Sequence, residues 1–187
     1  MKYPNSNKTY VKPKESASNR GMSLEDDINR TNRYYLTNDI AVVYKKPTPI
    51  TIVHVDYPKR SAAKITEAYF KVPSTTDYNG IYLGKYIDFE AKECESRTSF
   101  PFSSIHEHQL RHLSDVLRHG AIAFIIIRFV EHDKDFLIKA VDFIDFYNSG
   151  KRKSLPYAWV LENGFEIERK YQKPCDYIAV VERVFDL

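Results

Sequence analysis

The sequence predicts a single α/β or α+β domain. Three observations lead there. The chain has 187 residues, long enough to bury one core. Capped segments of helical period alternate with short apolar runs of strand length. One of those runs, Ala121 to Val130, is almost wholly apolar, as in a central strand buried on both faces. Composition agrees: 43% of residues are hydrophobic and 28% charged, with 14 Tyr and 11 Phe.

Residues 1–20 are polar, contain Pro4 and Pro13, and hold Lys2, Lys8, Lys12, Lys14 and Arg20 against Glu15 alone. A flexible basic arm that follows a phosphate backbone, or a solubilising tail, is expected there. Ser23 and Asp26 have the spacing of a capping box and open a helix over about residues 24–36. Its stripe is Leu24, Ile28, Thr31 and Tyr35, with Glu25 at the flank. Ile40 to Tyr44 reads as a short strand. Residues 47–72 are punctuated by Pro47, Pro49 and Pro58, alternate weakly from Ile50 to Val55, and carry Lys59, Arg60 and Lys64. They read as an extended two-stranded projection or a simple edge hairpin.

The next segment carries the chemistry. Asp77 is followed by Glu90-Ala91-Lys92, two carboxylates and a lysine in a D…ExK pattern. Such a set on one surface is a minimal site for metal-dependent phosphodiester cleavage. By itself the pattern also fits a charged solvent face on an edge hairpin. The register decides whether the side chains can meet. A turn at Leu83-Gly84 puts Asp77 opposite Glu90 and Thr75 opposite Lys92, with opposed Cβ atoms about 5 Å apart. Alternation then keeps Thr75, Asp77, Asn79, Asp88, Glu90 and Lys92 on one face, and Tyr86 can join them. Ile87, Phe89 and Ala91 point the other way, into a core. A rival turn at Asn79-Gly80 has the stronger local hairpin signal. It would carry Glu90 roughly 26 Å beyond Asp77's partner, at ~3.3 Å per residue. We favour Leu83-Gly84, which leaves Gly80 as a point of close backbone approach or a bulge.

A helix is predicted over about residues 103–119, with Ile105, Leu110, Leu113, Val116 and Leu117 on its apolar face. His106 and Gln109 fall within that face, and a buried Gln requires partners. On the helical wheel His106 and His108 point about 160° apart, so they cannot share an ion. His108 and His112 are placed on the solvent face without a cysteine pair, which argues against zinc. After the apolar strand, residues 131–135 turn and Phe136 to Ala140 return. A helix around 141–148 precedes the basic loop Lys151-Arg152-Lys153. Ser154 and Pro156 open another helix that Gly164 ends, and Asp176 caps a last helix with Ile178, Val181 and Phe185 inward.

The formal net charge is +3, but residues 1–60 carry +5 and the remainder −2. No overall polycationic character forces nucleic-acid binding. Cys94 and Cys175 are expected as free thiols. The sequence opens with no charged-then-apolar leader and has no apolar run near 18 residues, so a cytoplasmic protein with no membrane partner is expected.

With these residues in view, the chain resembles the RecU-type Holliday junction resolvases of the PD-(D/E)xK restriction-endonuclease-like superfamily. The resemblance is carried by Arg20 through Glu25, Lys46 through Pro49, Glu67 through Phe70, Pro73 through Gly80, Tyr86 through Lys92, Phe100-Pro101, and His106 through Gln109. It covers most of residues 20–130. Asn19 stands where Gly is usual and Cys94 where Thr is common. The C-terminal third matches only loosely.

The resemblance implies a restriction-endonuclease-like mixed sheet flanked by helices, with residues near 47–72 as a stalk entering a junction. Residues 21–187 would then be one nuclease domain. It implies symmetric nicking of four-way junction DNA by a homodimer in recombination and repair. It implies Mg²⁺, replaceable by Mn²⁺, on Thr75, Asp77, Glu90 and Gln109, with Lys92 stabilising the transition state. Arg20, Lys59, Arg60 and Lys64 are candidate DNA contacts, and Glu25 and Asp88 candidate supports of the ligands. A RecA recombinase and branch-migration machinery are implied partners. The rival functions are a recombination accessory that anneals strands or modulates a recombinase, and a restriction-like nuclease on linear duplex.

Overall fold

The computed structural model describes residues 23–71 and 75–187. The expected basic arm, Arg20 included, lies outside the described residues.

Helix α1 (Leu24–Thr37) begins at Ser23, whose hydroxyl accepts from Asp26 N while Asp26 reaches back to Ser23. The stripe Leu24, Ile28, Thr31 and Tyr35 is buried. Strand β1 (Val42–Lys45) follows, then β2 (Ile50–Asp56) and β3 (Lys64–Phe70), which pair only with each other. Every residue of β2 and β3 is exposed. The polypeptide continues through β4 (Tyr78–Tyr82), β5 (Lys85–Cys94), β6 (Ser99–Pro101), α2 (Glu107–Arg118), β7 (Ile122–Phe129) and β8 (Lys134–Lys139). It ends with α3 (Ala140–Asn148), β9 (Ser154–Pro156), α4 (Tyr157–Asn163), β10 (Phe165–Ile167) and α5 (Tyr177–Val184).

The main sheet has the order β1-β4-β5-β7-β8-β10. Only β5 and β7 run parallel, joined by the crossover through α2. All eight residues of β7 are buried, as its apolar run predicts. One core lies between the sheet and α1 with α5, and takes Ile87, Phe89, Phe124 and Ile126. The second lies under α2, α3 and α4, and takes Ala123, Ile125 and Ile127. The fold is therefore a mixed sheet flanked by helices on both faces.

The turn joining β4 to β5 is Leu83-Gly84, both with positive φ, 46° and 75°. Pairing runs Tyr82↔Lys85, Gly80↔Ile87 and Tyr78↔Phe89, the register that the Leu83-Gly84 turn dictates. Asn79-Gly80 lies inside β4. A Cβ on Gly80 would sit 2.6 Å from Val43 Cα, so the glycine serves close approach of β1, not a turn.

Several boundaries differ from expectation. Residues 102–104 form a separate 3-10 turn, and α2 starts only at Glu107. His106 is therefore the N-cap, extended and exposed, not an inward helical residue. The helical wheel does not apply to it, and its ring stacks on His108 with centroids 5.4 Å apart. Ser154 and Pro156 form the short strand β9 on β6 before α4 begins. Asp176 occupies the N-cap of α5, but its carboxylate bonds no helix N–H and instead takes Tyr35, Lys170 and Lys173.

Candidate active site

The β4–β5 register fixes where the acidic side chains go. Ile87, Phe89 and Ala91 pack into the α1/α5 core, so Asp88 and Glu90 face α2. On β7, their neighbours are Ala123 and Ile125 of the second core. Both carboxylates are fully buried. Strand pairing stops at Tyr78, and Asp77 lies just ahead of it, its carbonyl accepting from Lys46 N at 2.7 Å.

Asp77, Glu90 and Lys92 come together here. The Lys92 ammonium is 2.5 Å from Glu90 Oε1 and 3.9 Å from Asp77 Oδ2. Neither Glu90 oxygen has a hydrogen bond of acceptable geometry, although both are inaccessible to water. Burial, and next the Asp77 carboxylate, push the Glu90 carboxyl up to about 8, while Lys92 pulls the other way. A buried carboxylate next to a second one is a donor set for a hard divalent cation. Among the described residues no three His, Cys, Asp or Glu side chains form a metal cage, so neutral oxygens would have to complete any such site.

The other candidate ligands are placed less directly. Thr75 is half-buried, its hydroxyl 3.4 Å from Thr76 O. Gln109 is buried on α2, and its side-chain oxygen accepts from His106 N at 2.9 Å. One of that oxygen's two lone pairs is thus taken by the start of its own helix, and the other is available to an ion. Lys59, Arg60 and Lys64 are exposed at the end of the β2–β3 hairpin, beside a short 3-10 turn (Arg60–Ala62).

A cavity of about 280 Å³ opens beside Asp77 and Lys92 and is also lined by Glu25, Lys45, Tyr78 and Glu93. Glu25 pairs with Lys45 at 2.5 Å, and Glu93 accepts from Leu24 N at 2.5 Å. Glu25 thus shares a cavity with two of the three central residues.

Asp88 differs from Glu90 in being saturated. Thr76 Oγ1 donates to Oδ1; Lys46 Nζ at 2.8 Å, Tyr86 OH at 2.7 Å and His112 Nε2 at 3.1 Å reach Oδ2. His112 is therefore turned towards the sheet, not on the solvent face. Sequence reasoning did not assign Lys46, Thr76 or His112. They lie 42, 12 and 24 positions from Asp88, with no period to connect them.

The family model for RecU, recombination protein U, matches residues 19–183. A Holliday junction resolvase RecU of Oceanobacillus iheyensis is 51% identical, covering 99% of this chain and 100% of its own length. That of Geobacillus sp. (strain WCH70) is 52% identical, covering 99% and 98%. Among solved structures, Hjc, a Holliday junction resolvase from Archaeoglobus fulgidus, matches 74% of this chain and 94% of its own at 12% identity and a TM-score of 0.41. Sequence identity of about one half across almost the full length accompanies the D…ExK hairpin, and on these grounds the chain belongs to the RecU family.

Proposed function

We propose that this protein is a Holliday junction resolvase, an endodeoxyribonuclease that nicks opposed strands of four-way DNA junctions. The observation that carries the reading is Glu90: a fully buried carboxylate gathered with Asp77 and with Lys92, whose ammonium is 2.5 Å from its Oε1. The kinship with proteins named Holliday junction resolvase RecU supplies the substrate class.

Asp77 and Glu90 are the charged ligands of a divalent cation in this reading. The Thr75 hydroxyl and the Gln109 amide oxygen complete its protein ligands. We assign Mg²⁺, with Mn²⁺ able to substitute; held there, the ion would supply Lewis-acid polarisation of the scissile phosphate and a more acidic bound water. The Lys92 ammonium, beside both carboxylates, would stabilise the negative charge that builds on the phosphoryl oxygens. Water adds to phosphorus, one P–O ester bond breaks, and the proton passes to the departing oxygen. Glu25 and Asp88 support the ligands from either side.

Residues 21–187 are read as one nuclease domain that carries the β2–β3 hairpin as a junction-entering stalk. Lys59, Arg60 and Lys64 at its end, and Arg20, would bind phosphates in a salt-dependent way. Two opposed nicks need two sites, which a two-fold homodimer provides. Exposed Ile50, Ile52, Val53, Val55 and Tyr57 favour such a dimer, since one subunit alone leaves them in water. Partnership with a RecA recombinase and branch-migration machinery, and a cytoplasmic site of action, belong to the same proposal and rest on the resemblance. No helix among the described residues is long and apolar enough to cross a membrane.

The test compares a four-way junction with linear duplex of the same sequence, with and without Mg²⁺. Asp77→Ala is expected to abolish nicking while junction binding persists. Cleavage surviving that substitution would remove Asp77 from the site. Equal cleavage of both substrates by the unaltered protein would favour a restriction-like nuclease.

A further inference from the structure

Two buried carboxylates sit on the same face of β5, two residues apart, and they are treated in opposite ways. Glu90 meets Lys92 and Asp77, both residues of the proposed site, whereas Asp88 receives four donors from other residues. Three of those donors reach Oδ2 and one reaches Oδ1, so most of the acceptor capacity of Asp88 is taken up within the protein. Its role has to be found in what it joins.

The donors come from four places. Lys46 directly follows β1 on the connection to β2, and Thr76 lies on the connection from β3 to β4. These are the two roots of the exposed hairpin. They also meet each other, Lys46 Nζ donating to Thr76 Oγ1 at 2.9 Å. Tyr86 belongs to β5 itself, and His112 to α2, three positions beyond Gln109. Lys46 makes one further link, from its backbone N–H to the Asp77 carbonyl. The first root therefore holds Asp77 with its main chain and Asp88 with its side chain. Since β2 and β3 are exposed along their whole length, the contacts described within one subunit orient the hairpin from these roots.

We propose that Asp88 is a positioning residue that locks both roots of the β2–β3 hairpin, and with them Asp77, to the strand and helix carrying Glu90 and Gln109. Displacing the hairpin then displaces Asp77 relative to Glu90. Contact between a junction and the hairpin thereby bears on the rate of cleavage and not only on affinity. This inference rests on the reading of Asp77 and Glu90 as the ion-binding pair.

The experiment measures single-turnover cleavage at saturating enzyme, with junction affinity measured separately without divalent ions. It uses Asp88→Asn, the paired tip substitution Lys59→Ala with Arg60→Ala, and their combination. Asp88→Asn should slow cleavage on the order of 10–100-fold, the cost of small misplacements at a reacting centre, with affinity changed less than about threefold. The tip substitution should also slow cleavage at saturation, but add less than about twofold once Asp88 is changed, because the coupling is already cut. Wild-type cleavage by Asp88→Asn, or losses that multiply in the combination, would overturn the proposal. A residue that only stabilises the fold would give multiplying losses. If Asp88→Asn does not fold, Lys46→Met and Thr76→Val each sever one root; wild-type rates in both would overturn it equally. Asp77→Ala runs alongside: an active Asp77→Ala protein refutes the site assignment itself, independently of the result at Asp88.

Discussion

Glu90 holds a proton that an exposed glutamate would have released. Its carboxyl, ordinarily near 4.5, is raised to about 8, first by burial and then by Asp77. Between those two values the folded, ion-free protein binds more protons than the unfolded chain. Stability from this group is full below 4.5 and is lost as pH rises through about 8. The ion-free melting temperature should therefore carry a falling component over that window, and Glu90→Gln should remove it. Divalent ions need the anion, so binding near pH 7 should release about one proton per ion, and less above pH 8. Calorimetry in buffers of different ionisation enthalpy measures that number; no release near pH 7 would contradict the assignment. At this scale the sequence was readable where turn chemistry and strand period acted together. Leu83-Gly84 and alternation were enough to bring Glu90 beside Asp77. They could not tell Glu90 from Asp88, because the groups that saturate Asp88 arrive from Lys46, Thr76 and His112, which only the tertiary fold assembles.

The β4–β5 hairpin is the element that brings the site together, and its turn is strained at one position. Leu83 is 67% exposed and held at a φ of 46°, a region that costs a branched L-residue roughly 1 kcal/mol. Its side chain contributes little packing to offset that cost. Leu83→Asn, which suits the first position of a type I′ turn, should raise unfolding free energy by about 0.5–1 kcal/mol and leave cleavage unchanged. Urea denaturation with a parallel nicking assay checks both. Longer elements were legible from pattern: α1 starts at its capping box, and β7 fills its apolar run. The three-residue strands β6, β9 and β10 were not, since three residues carry no measurable period. The start of α2 was misplaced for a related reason. Ile105 continues the apolar spacing of the helix although it lies in extended chain after a 3-10 turn.

Across the whole molecule, a buried charge network joins segments far apart in sequence. Arg128 on β7 bonds Asp135 on β8 and Asp27 on α1, and Arg169 adds a second guanidinium to Asp135. Burial alone would raise the Asp135 carboxyl, but Arg128 and Arg169 outweigh it and hold it below its ordinary 3.8. Its contribution is thus present above that value and is lost as pH falls through the depressed one. Asp135→Asn should destabilise the fold by about 3–5 kcal/mol at neutral pH, as expected for breaking a buried pair on one side. A urea midpoint that barely moves would refute that weight. Sequence reading found none of these pairings: Asp27 and Arg128 stand 101 positions apart with no local trace, and Arg128–Asp135, seven apart, becomes visible only once the β7–β8 register is known.

The unpacked β2–β3 hairpin has a consequence for how such proteins diversify. Because its strands bury nothing against the body, its attachment is confined to a small socket of Lys46, Thr76 and Asp88. Residues 50–70 are in that sense an interchangeable module. A chimera that takes this stretch from a relative while keeping the socket and the exposed apolar residues Ile50, Ile52, Val53 and Val55 inherits the donor's reach and tip chemistry without repacking the host core.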